Sequence, residues 1–182
     1  LPEDVLLDYL FIDEAGQVSL GNLIAMGVSA RNIVLLGDQM QLGQPIQGTH
    51  PGRSGESILE YLLDGRATIP AAEGVFLSQT WRMHPAVCSF ISDAVYDGRL
   101  HAAEGVERRH LALTQDAHAA LAPVGVRYIP IAHSGRSQSC DEEAAVISEL
   151  YASLIQQEFV ETDGARHKLG TEDILVVSPY NL

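Results

Sequence analysis

An apolar segment that ends in two adjacent carboxylates limits most strongly what this chain can fold into. Tyr9 to Ile12 has the composition of a buried strand, and Asp13-Glu14-Ala-Gly-Gln17 follows it directly. Two like charges at a buried strand end are disfavoured unless a partner compensates them. Asp13 and Glu14 therefore predict a nearby cation, such as the magnesium of a phosphate-cleaving site. The alternative for this motif alone is a pair of solvated turn residues.

A second apolar run ends in the same way about twenty residues later. Residues 33–36 are Ile-Val-Leu-Leu, and Gly37, Asp38 and Gln41 lie in the polar segment that follows. Ligands of open α/β sheets bind outside the carboxyl ends of parallel strands, so two such ends in succession predict one shared crevice. Gly37 permits a sharp turn, which allows Asp38 and Gln41 to point into that crevice.

A third segment places an arginine beside the single tryptophan of the chain. Trp81 and Arg82 precede His84 and Pro85, and Pro85 is suited to the first turn of a helix. Arginine binds phosphate well, and an indole ring can stack on a base. Because helix amino ends favour anions, Arg82 is well placed for phosphate. We expect His84 to cap the helix.

These segments resemble the consecutive motifs of superfamily 1 helicases. The nearest group includes the RNA helicase of nonsense-mediated decay and the helicase-nucleases of DNA processing. The resemblance extends over residues 5–182, and four ordered motifs are more specific than any one of them. The matching residues are Asp13-Glu14-Ala15-Gly16-Gln17, Gly37-Asp38-x-x-Gln41-Leu42-x-x-Pro45, Trp81-Arg82-Met83-His84-Pro85 and Ser178-Pro179-Tyr180-Asn181.

Alternating strands and helices indicate an α/β chain. The resemblance implies a P-loop NTPase of the RecA-like type, with parallel sheets and flanking helices in two incomplete lobes. Residues 1–72 would form the C-terminal half of the first lobe, and residues 73–182 the N-terminal part of the second. Residues 70–74 are the predicted boundary between them.

The resemblance also implies the catalytic roles. Asp13 would hold Mg²⁺ through water, and Glu14 would orient and deprotonate the attacking water. Gln41 would contact the terminal phosphate of ATP. Arg82 would reach across from the second lobe as an arginine finger, with a surface arginine lying over Trp81 as the alternative.

Binding roles follow from the same resemblance. Trp81 would stack on the adenine, where relatives usually have tyrosine, and a core tryptophan is the alternative. Asp38 and Gln17 would support the nucleotide and magnesium loops. The segment Ser178, Pro179 and Tyr180 would approach a single strand of DNA or RNA, although a turn at a strand end also explains it.

The sequence contains no phosphate-binding loop of the kind such a site needs. Its one lysine is Lys168, and residues 164–171 lack the required glycine and lysine spacing. We therefore expect an internal piece of a longer ATP-dependent helicase or translocase. On its own the piece should be inactive.

The net charge of −13 argues against strong electrostatic binding of nucleic acid, because affinity for phosphate backbones comes largely from lysine and arginine. No apolar run approaches the roughly 18 residues of a membrane helix, and no signal peptide opens the sequence. Cys88 and Cys140 are isolated and lack metal-ligand spacing. These features predict a cytoplasmic protein with reduced thiols and no membrane partner.

Two other classes of protein are alternatives. A nuclease or metal-dependent hydrolase would use Asp8, Asp13, Glu14 and Asp38 as ligands, but it has no need of the Gly-Asp-x-x-Gln pattern. A non-catalytic nucleic-acid or protein-binding module with a helicase-like shape fits the missing phosphate loop. A Gly-Lys-Ser/Thr loop upstream would distinguish the enzyme from the module.

Periodicity predicts the remaining elements. The strand at residues 31–36 would have an open edge, which we expect another chain, a rearranged segment or the rest of the parent to cover. Self-association through that edge is one such arrangement. We also predict a helix or turn at 22–26 and helices at 54–63, 85–95 and 139–158. The last two have apolar stripes, and a Ser139/Glu142 capping box opens the last. Strands are predicted at 75–77, 126–131 and 174–177, a hairpin or loop at 162–169, and a long loop with short elements at 98–125.

Overall fold

The computed structural model describes residues 6–43, 48, 50–136 and 138–178. Its contacts divide the chain into two compact units. One unit contains Leu1–Leu77 together with Val95–Asp97, and the other contains Ser78–Ala94 together with Gly98–Leu182.

The first unit is built on two parallel strands. Strand β1 (Leu7–Ile12) pairs with β2 (Ala30–Leu35), and Ile12 lies opposite Leu35. Helix α1 (Leu20–Gly27) connects them and begins at Ser19, whose side chain accepts a hydrogen bond from the Asn22 amide. The predicted pair of strands and the connecting helix are confirmed. Both strands therefore end at the same edge of the sheet.

A small apolar core lies beneath that edge. Its buried members are Ile12, Ala15, Ile58 and Leu59. Helix α2 (Ile58–Leu63) supplies two of them, and it starts four residues later than predicted. The reason is the cap: Ser57 and Glu60 form a reciprocal capping box, which fixes the first helical residue at Ile58.

The second unit contains helix α3 (Pro85–Val95), which begins at the predicted proline. The predicted apolar stripe is wrong in part, because Cys88 and Ser92 are the buried residues and Phe90 is 55% exposed. The segment after the helix explains the difference. The Ser92 hydroxyl accepts a hydrogen bond from the Leu100 amide, so the chain returns along this small-residue face.

Short strands complete this unit. Strand β3 (Gln79–Thr80) pairs in parallel with β4 (His101–Ala102). An antiparallel sheet has the order β5 (His110–Ala112), β6 (Glu158–Val160) and β7 (Arg166–Lys168). The β6–β7 hairpin confirms the prediction of a hairpin or loop at 162–169, but its first strand begins earlier, at Glu158. The prediction of a long loop with short elements at 98–125 is confirmed as well, with a 3₁₀ turn at Val106–Arg108.

Helix α4 (Asp141–Leu154) is shorter than the predicted helix at 139–158. Cys140 is its N-cap and makes no side-chain capping bond, so the predicted Ser139/Glu142 capping box is wrong. The predicted inward stripe is only half-buried, and Ile147 is 43% exposed. Glu142 is instead held by an ion pair with Arg136.

Three predicted strands are absent from the described residues. Residues 75–77, 126–131 and 174–177 form no ladder, and most of their apolar side chains are exposed, for example Leu77 at 79% and Leu175 at 86%. Apolar composition favours a buried strand, but a strand also needs a neighbour for its backbone groups. Strand β2 likewise pairs only with β1 within the described residues, so the covering of its far edge stays a prediction.

None of the helices in the described part of the chain combines the length and apolar character needed to cross a lipid bilayer.

Candidate functional site

The acidic segment forms a tight loop directly after β1. Glu14 has a positive φ of 51°, a conformation that costs a non-glycine residue about 1 kcal/mol or more. The Gln17 amide donates to the Glu14 carbonyl at 2.8 Å, and the Ala15 amide donates to the Leu36 carbonyl at 2.8 Å. Ala15 is fully buried, whereas Asp13 and Glu14 are exposed. The buried alanine thus anchors a loop that presents both carboxylates to solvent.

Two glycines bring this loop against the loop that follows β2. A Cβ atom on Gly16 would collide with the carbonyl of Asp38, and one on Gly37 would lie 2.7 Å from the Ala15 amide nitrogen. Only glycine allows so close an approach of two backbones. The structure therefore brings Asp13, Glu14 and Asp38 to neighbouring loops at one sheet edge.

Asp38 is the most fully bonded residue of the site. Its carboxylate accepts hydrogen bonds from the Met40 amide at 2.9 Å, the Gln41 side chain at 3.2 Å and the Tyr96 hydroxyl at 2.5 Å. Burial, followed by the bond to Asp38, raises the pKa of Tyr96 to about 12. Tyr96 keeps its proton at neutral pH and remains a donor. Asp38 is thus a positioning group that holds Gln41 and the loop.

Tyr96 was missed by sequence reasoning. It lies 58 residues from Asp38 at the end of helix α3, in a segment that packs with the first unit. The side chain of Gln39 was also missed, and its Nε2 donates to the carbonyls of Arg66 and Ala67. No local motif marks either contact, because both depend on long-range packing.

Within the described residues, the exposed carboxylates of the loop have no cationic partner. No lysine or arginine of the described part pairs with Asp13, Glu14 or Asp38. Asp13 Oδ1 accepts a hydrogen bond from the Glu14 amide, which orients the carboxylate. Gln17 and Gln41 are exposed beside these acids. Such a set of oxygen atoms suits a hard cation that keeps several of its waters.

The second unit contains Trp81 and Arg82, the predicted aromatic and basic residues of the nucleotide site. Trp81 is 68% exposed, so the alternative of a core tryptophan is wrong. Arg82 is exposed as well, and its amide donates to the Thr80 hydroxyl at 3.3 Å. Gln79, Thr80, Trp81 and Arg82 line a shallow open depression. The two side chains are therefore available to a ligand.

Arg109 is another residue that the sequence did not reveal, and it holds the backbone of Trp81 and Arg82. Its Nη1 donates to the carbonyl of Trp81 at 3.1 Å and to that of Arg82 at 3.4 Å. Its Nε is buried and lacks a hydrogen-bond partner within the described residues. A half-buried guanidinium held in this way constrains the backbone at Trp81 and Arg82.

His84 caps helix α3, as predicted. Its Nδ1 accepts a hydrogen bond from the Ala86 amide at 3.0 Å, so the ring proton lies on Nε2. That nitrogen lies 3.1 Å from the Glu107 carbonyl and donates to it. The ring thereby ties the start of the helix to the 3₁₀ turn that precedes Arg109.

Some predicted site residues fall outside the described part of the chain. Pro179, Tyr180 and Asn181 lie there, as does Pro45 of the second motif. Ser178 is described and lies in neither a helix nor a strand.

Comparison with known protein families identifies one match for this chain. The model of a family described as "AAA domain" matches residues 55–182, more than half of the chain. The chain belongs to this family. The match covers the whole second unit, including Trp81 and Arg82, and the part of the first unit from residue 55 onward. The acidic loop at 13–17 lies outside it.

A curated relative supports the same assignment. DNA polymerase alpha-associated DNA helicase A of Schizosaccharomyces pombe (strain 972 / ATCC 24843) is 32% identical over 104 residues. The aligned region is 57% of this chain and 15% of that relative, so the chain spans a small part of the relative's length. Together with the AAA domain, this relative confirms the resemblance to superfamily 1 helicases.

Proposed function

We propose that this AAA domain chain is part of an ATP-dependent helicase or translocase that couples ATP hydrolysis to movement on DNA or RNA. The observation that carries the proposal is the glycine contact between the acidic loop and the Asp38 loop at one sheet edge. In this proposal the two units belong to two RecA-like lobes of a P-loop NTPase. The relative named as a DNA helicase supports it.

In the first unit, the carboxylates would serve the metal and the water. Asp13 would hold Mg²⁺ through water, and its exposed oxygens without a cationic partner in the described part fit that ion. Bound Mg²⁺ supplies charge neutralisation to the phosphate oxygens. Glu14 accepts the proton of the attacking water, and its exposed carboxylate is available for this role.

Gln41 and Gln17 would complete this side of the site. The bond from Gln41 to Asp38 presents the glutamine beside the acidic loop, where it can contact the terminal phosphate. The exposed Gln17 follows the two acids and supports the magnesium loop. Asp38 acts on the nucleotide through Gln41 and the loop backbone.

In the second unit, Arg82 and Trp81 would bind the nucleotide. Arg82 stabilises the charge that develops on the transferred phosphoryl group, and Trp81 stacks on the adenine. The exposure of both side chains supports these roles, because neither is used in an internal core. Arg109 keeps their backbone in position.

The nucleic-acid role rests on the relative and on the segment that begins at Ser178. DNA is favoured because the relative's name specifies a DNA helicase. The net charge of −13 predicts weak binding by this chain alone. Ser178, Pro179 and Tyr180 would approach the strand in the longer protein, which we propose to be intracellular.

The nuclease alternative is disfavoured by the bonds of Asp38. Its two carboxylate oxygens are occupied by Met40, Gln41 and Tyr96. Over residues 6–43, 48, 50–136 and 138–178, no cluster of three ligand groups includes Asp8, Asp13, Glu14 or Asp38. A two-metal site needs such a cluster.

A non-catalytic nucleic-acid or protein-binding module with a helicase-like shape stays as the second candidate, since the sequence has no phosphate-binding loop.

Steady-state ATP hydrolysis with and without single-stranded DNA tests the proposal. We expect no nucleic-acid-stimulated turnover from the purified 182-residue chain, because the phosphate-binding lysine is absent from it. The full-length protein that contains these residues should hydrolyse ATP, and the rate of hydrolysis should rise when DNA or RNA is added. Robust stimulated turnover by the isolated chain, or none by the full-length protein, would contradict the proposal.

A further inference from the structure

Three side chains of metal-ligating type converge in the second unit, on residues that the site described above does not use. They are His133 in the loop before helix α4, Cys140 at the helix N-cap and Glu143 in its first turn. One ligand atom from each lies within 4.8 Å of the other two. His133 Nε2 and Glu143 Oε1 are 3.5 Å apart, longer than a good hydrogen bond.

The spacing of these atoms suits a tetrahedral metal. Bonds of about 2.0 to 2.1 Å from zinc to nitrogen and oxygen place the two ligand atoms about 3.3 to 3.4 Å apart. A sulfur at about 2.3 Å lies about 3.6 Å from either of them. The imidazole and the carboxylate are therefore almost at the required separation. The thiol needs to move by little more than about 1 Å, which partly exposed side chains can do.

Glu143 differs from Glu142, its neighbour in this turn, in its charged partners. Arg136 donates two hydrogen bonds to Glu142, at 3.1 and 3.0 Å. Glu142 is thus already neutralised. Glu143 has no arginine or lysine partner in the part of the chain that the structure describes, and it faces His133. An imidazole, a thiol and an uncompensated carboxylate then remain together.

We propose that His133, Cys140 and Glu143 bind a divalent transition metal of the zinc type, with water in the fourth position. The mixture of sulfur, nitrogen and oxygen donors is typical of zinc ligands and unlike the all-oxygen sets that bind magnesium. The Cys140 thiol, which now donates to Glu142 at 3.3 Å, releases its proton to solvent as the metal–sulfur bond forms. The metal ties the loop to the start of helix α4.

Cobalt substitution provides a direct test on the chain itself, without a histidine tag. Co²⁺ titration of the reduced protein should produce thiolate-to-metal charge-transfer absorption and visible bands of tetrahedral cobalt, saturating at one ion per chain. Zn²⁺ should remove both. His133→Ala and Glu143→Gln should each weaken binding by about tenfold or more.

The two cysteines provide the matched control. Cys140→Ser should abolish the charge-transfer band, and Cys88→Ala should retain it, because Cys88 is only 2% exposed. Circular dichroism establishes that each variant is folded. The proposal is overturned if folded wild-type protein gives no charge-transfer band, or if the band persists in Cys140→Ser. Binding that none of the three substitutions weakens would be adventitious and would overturn it equally.

Discussion

Glu14→Gln in the full-length protein is expected to abolish ATP turnover while leaving ATP binding near the parental affinity. The amide keeps the size of the carboxylate but cannot accept the proton of the attacking water. Loss of a general base lowers rates by about 100-fold to 10,000-fold, so turnover should fall by at least about 100-fold. Steady-state hydrolysis and equilibrium binding of a fluorescent ATP analogue measure the two quantities.

Glu104→Gln is the matched control for this variant, since Glu104 is an exposed glutamate in the other unit. Its turnover should equal that of the parent. If Glu14→Gln also hydrolysed ATP at the parental rate, the role given to Glu14 would be wrong.

Arg82→Ala should lower the turnover of the full-length protein by about 1,000-fold, the lower end of the usual effect of an arginine finger. Charge develops on the transferred phosphoryl group, and Arg82 is the exposed cation beside Trp81. Nucleic-acid binding should change little. Single-turnover hydrolysis measures the chemical step, and anisotropy of a labelled oligonucleotide measures binding.

Substitutions of Arg108 and Arg109 distinguish a catalytic charge at Arg82 from a role in holding the backbone. Arg108→Ala, which removes a side chain that is 68% exposed, should leave turnover unchanged. Arg109→Ala should lower the turnover of the full-length protein less than Arg82→Ala does. In the 182-residue chain, where Trp81 is the single tryptophan, Arg109→Ala should increase the mobility of Trp81, which fluorescence anisotropy reports. Equal turnover of Arg82→Ala and Arg108→Ala would rule out the finger.

The sequence predicted the loops that carry the proposed chemistry because their signals are local. An apolar strand followed by polar residues marks the segments after Ile12 and Leu35, and the parallel pairing of β1 and β2 confirms the predicted strands. The proline at position 85 likewise marked the start of helix α3. Each of these signals lies within a few residues of the feature that it predicts.

The supporting contacts lacked any such signal. Tyr96 reaches Asp38 across 58 residues, and Arg109 reaches Trp81 across 28. Cys140 looked isolated in the sequence, because the loop geometry that brings His133 towards it is not a spacing motif. The apolar run at 126–131 failed as a strand for a related reason, since a ladder depends on a partner that composition does not specify.

The central claim, that these loops belong to a motor on nucleic acid, is tested most directly by ATP-dependent strand displacement. The full-length protein should release a labelled strand from a duplex with a single-stranded tail only when ATP and Mg²⁺ are present. Glu14→Gln should bind the same substrate and release nothing. Displacement that proceeds without ATP, or ATP hydrolysis that neither responds to nucleic acid nor displaces a strand, would contradict the account.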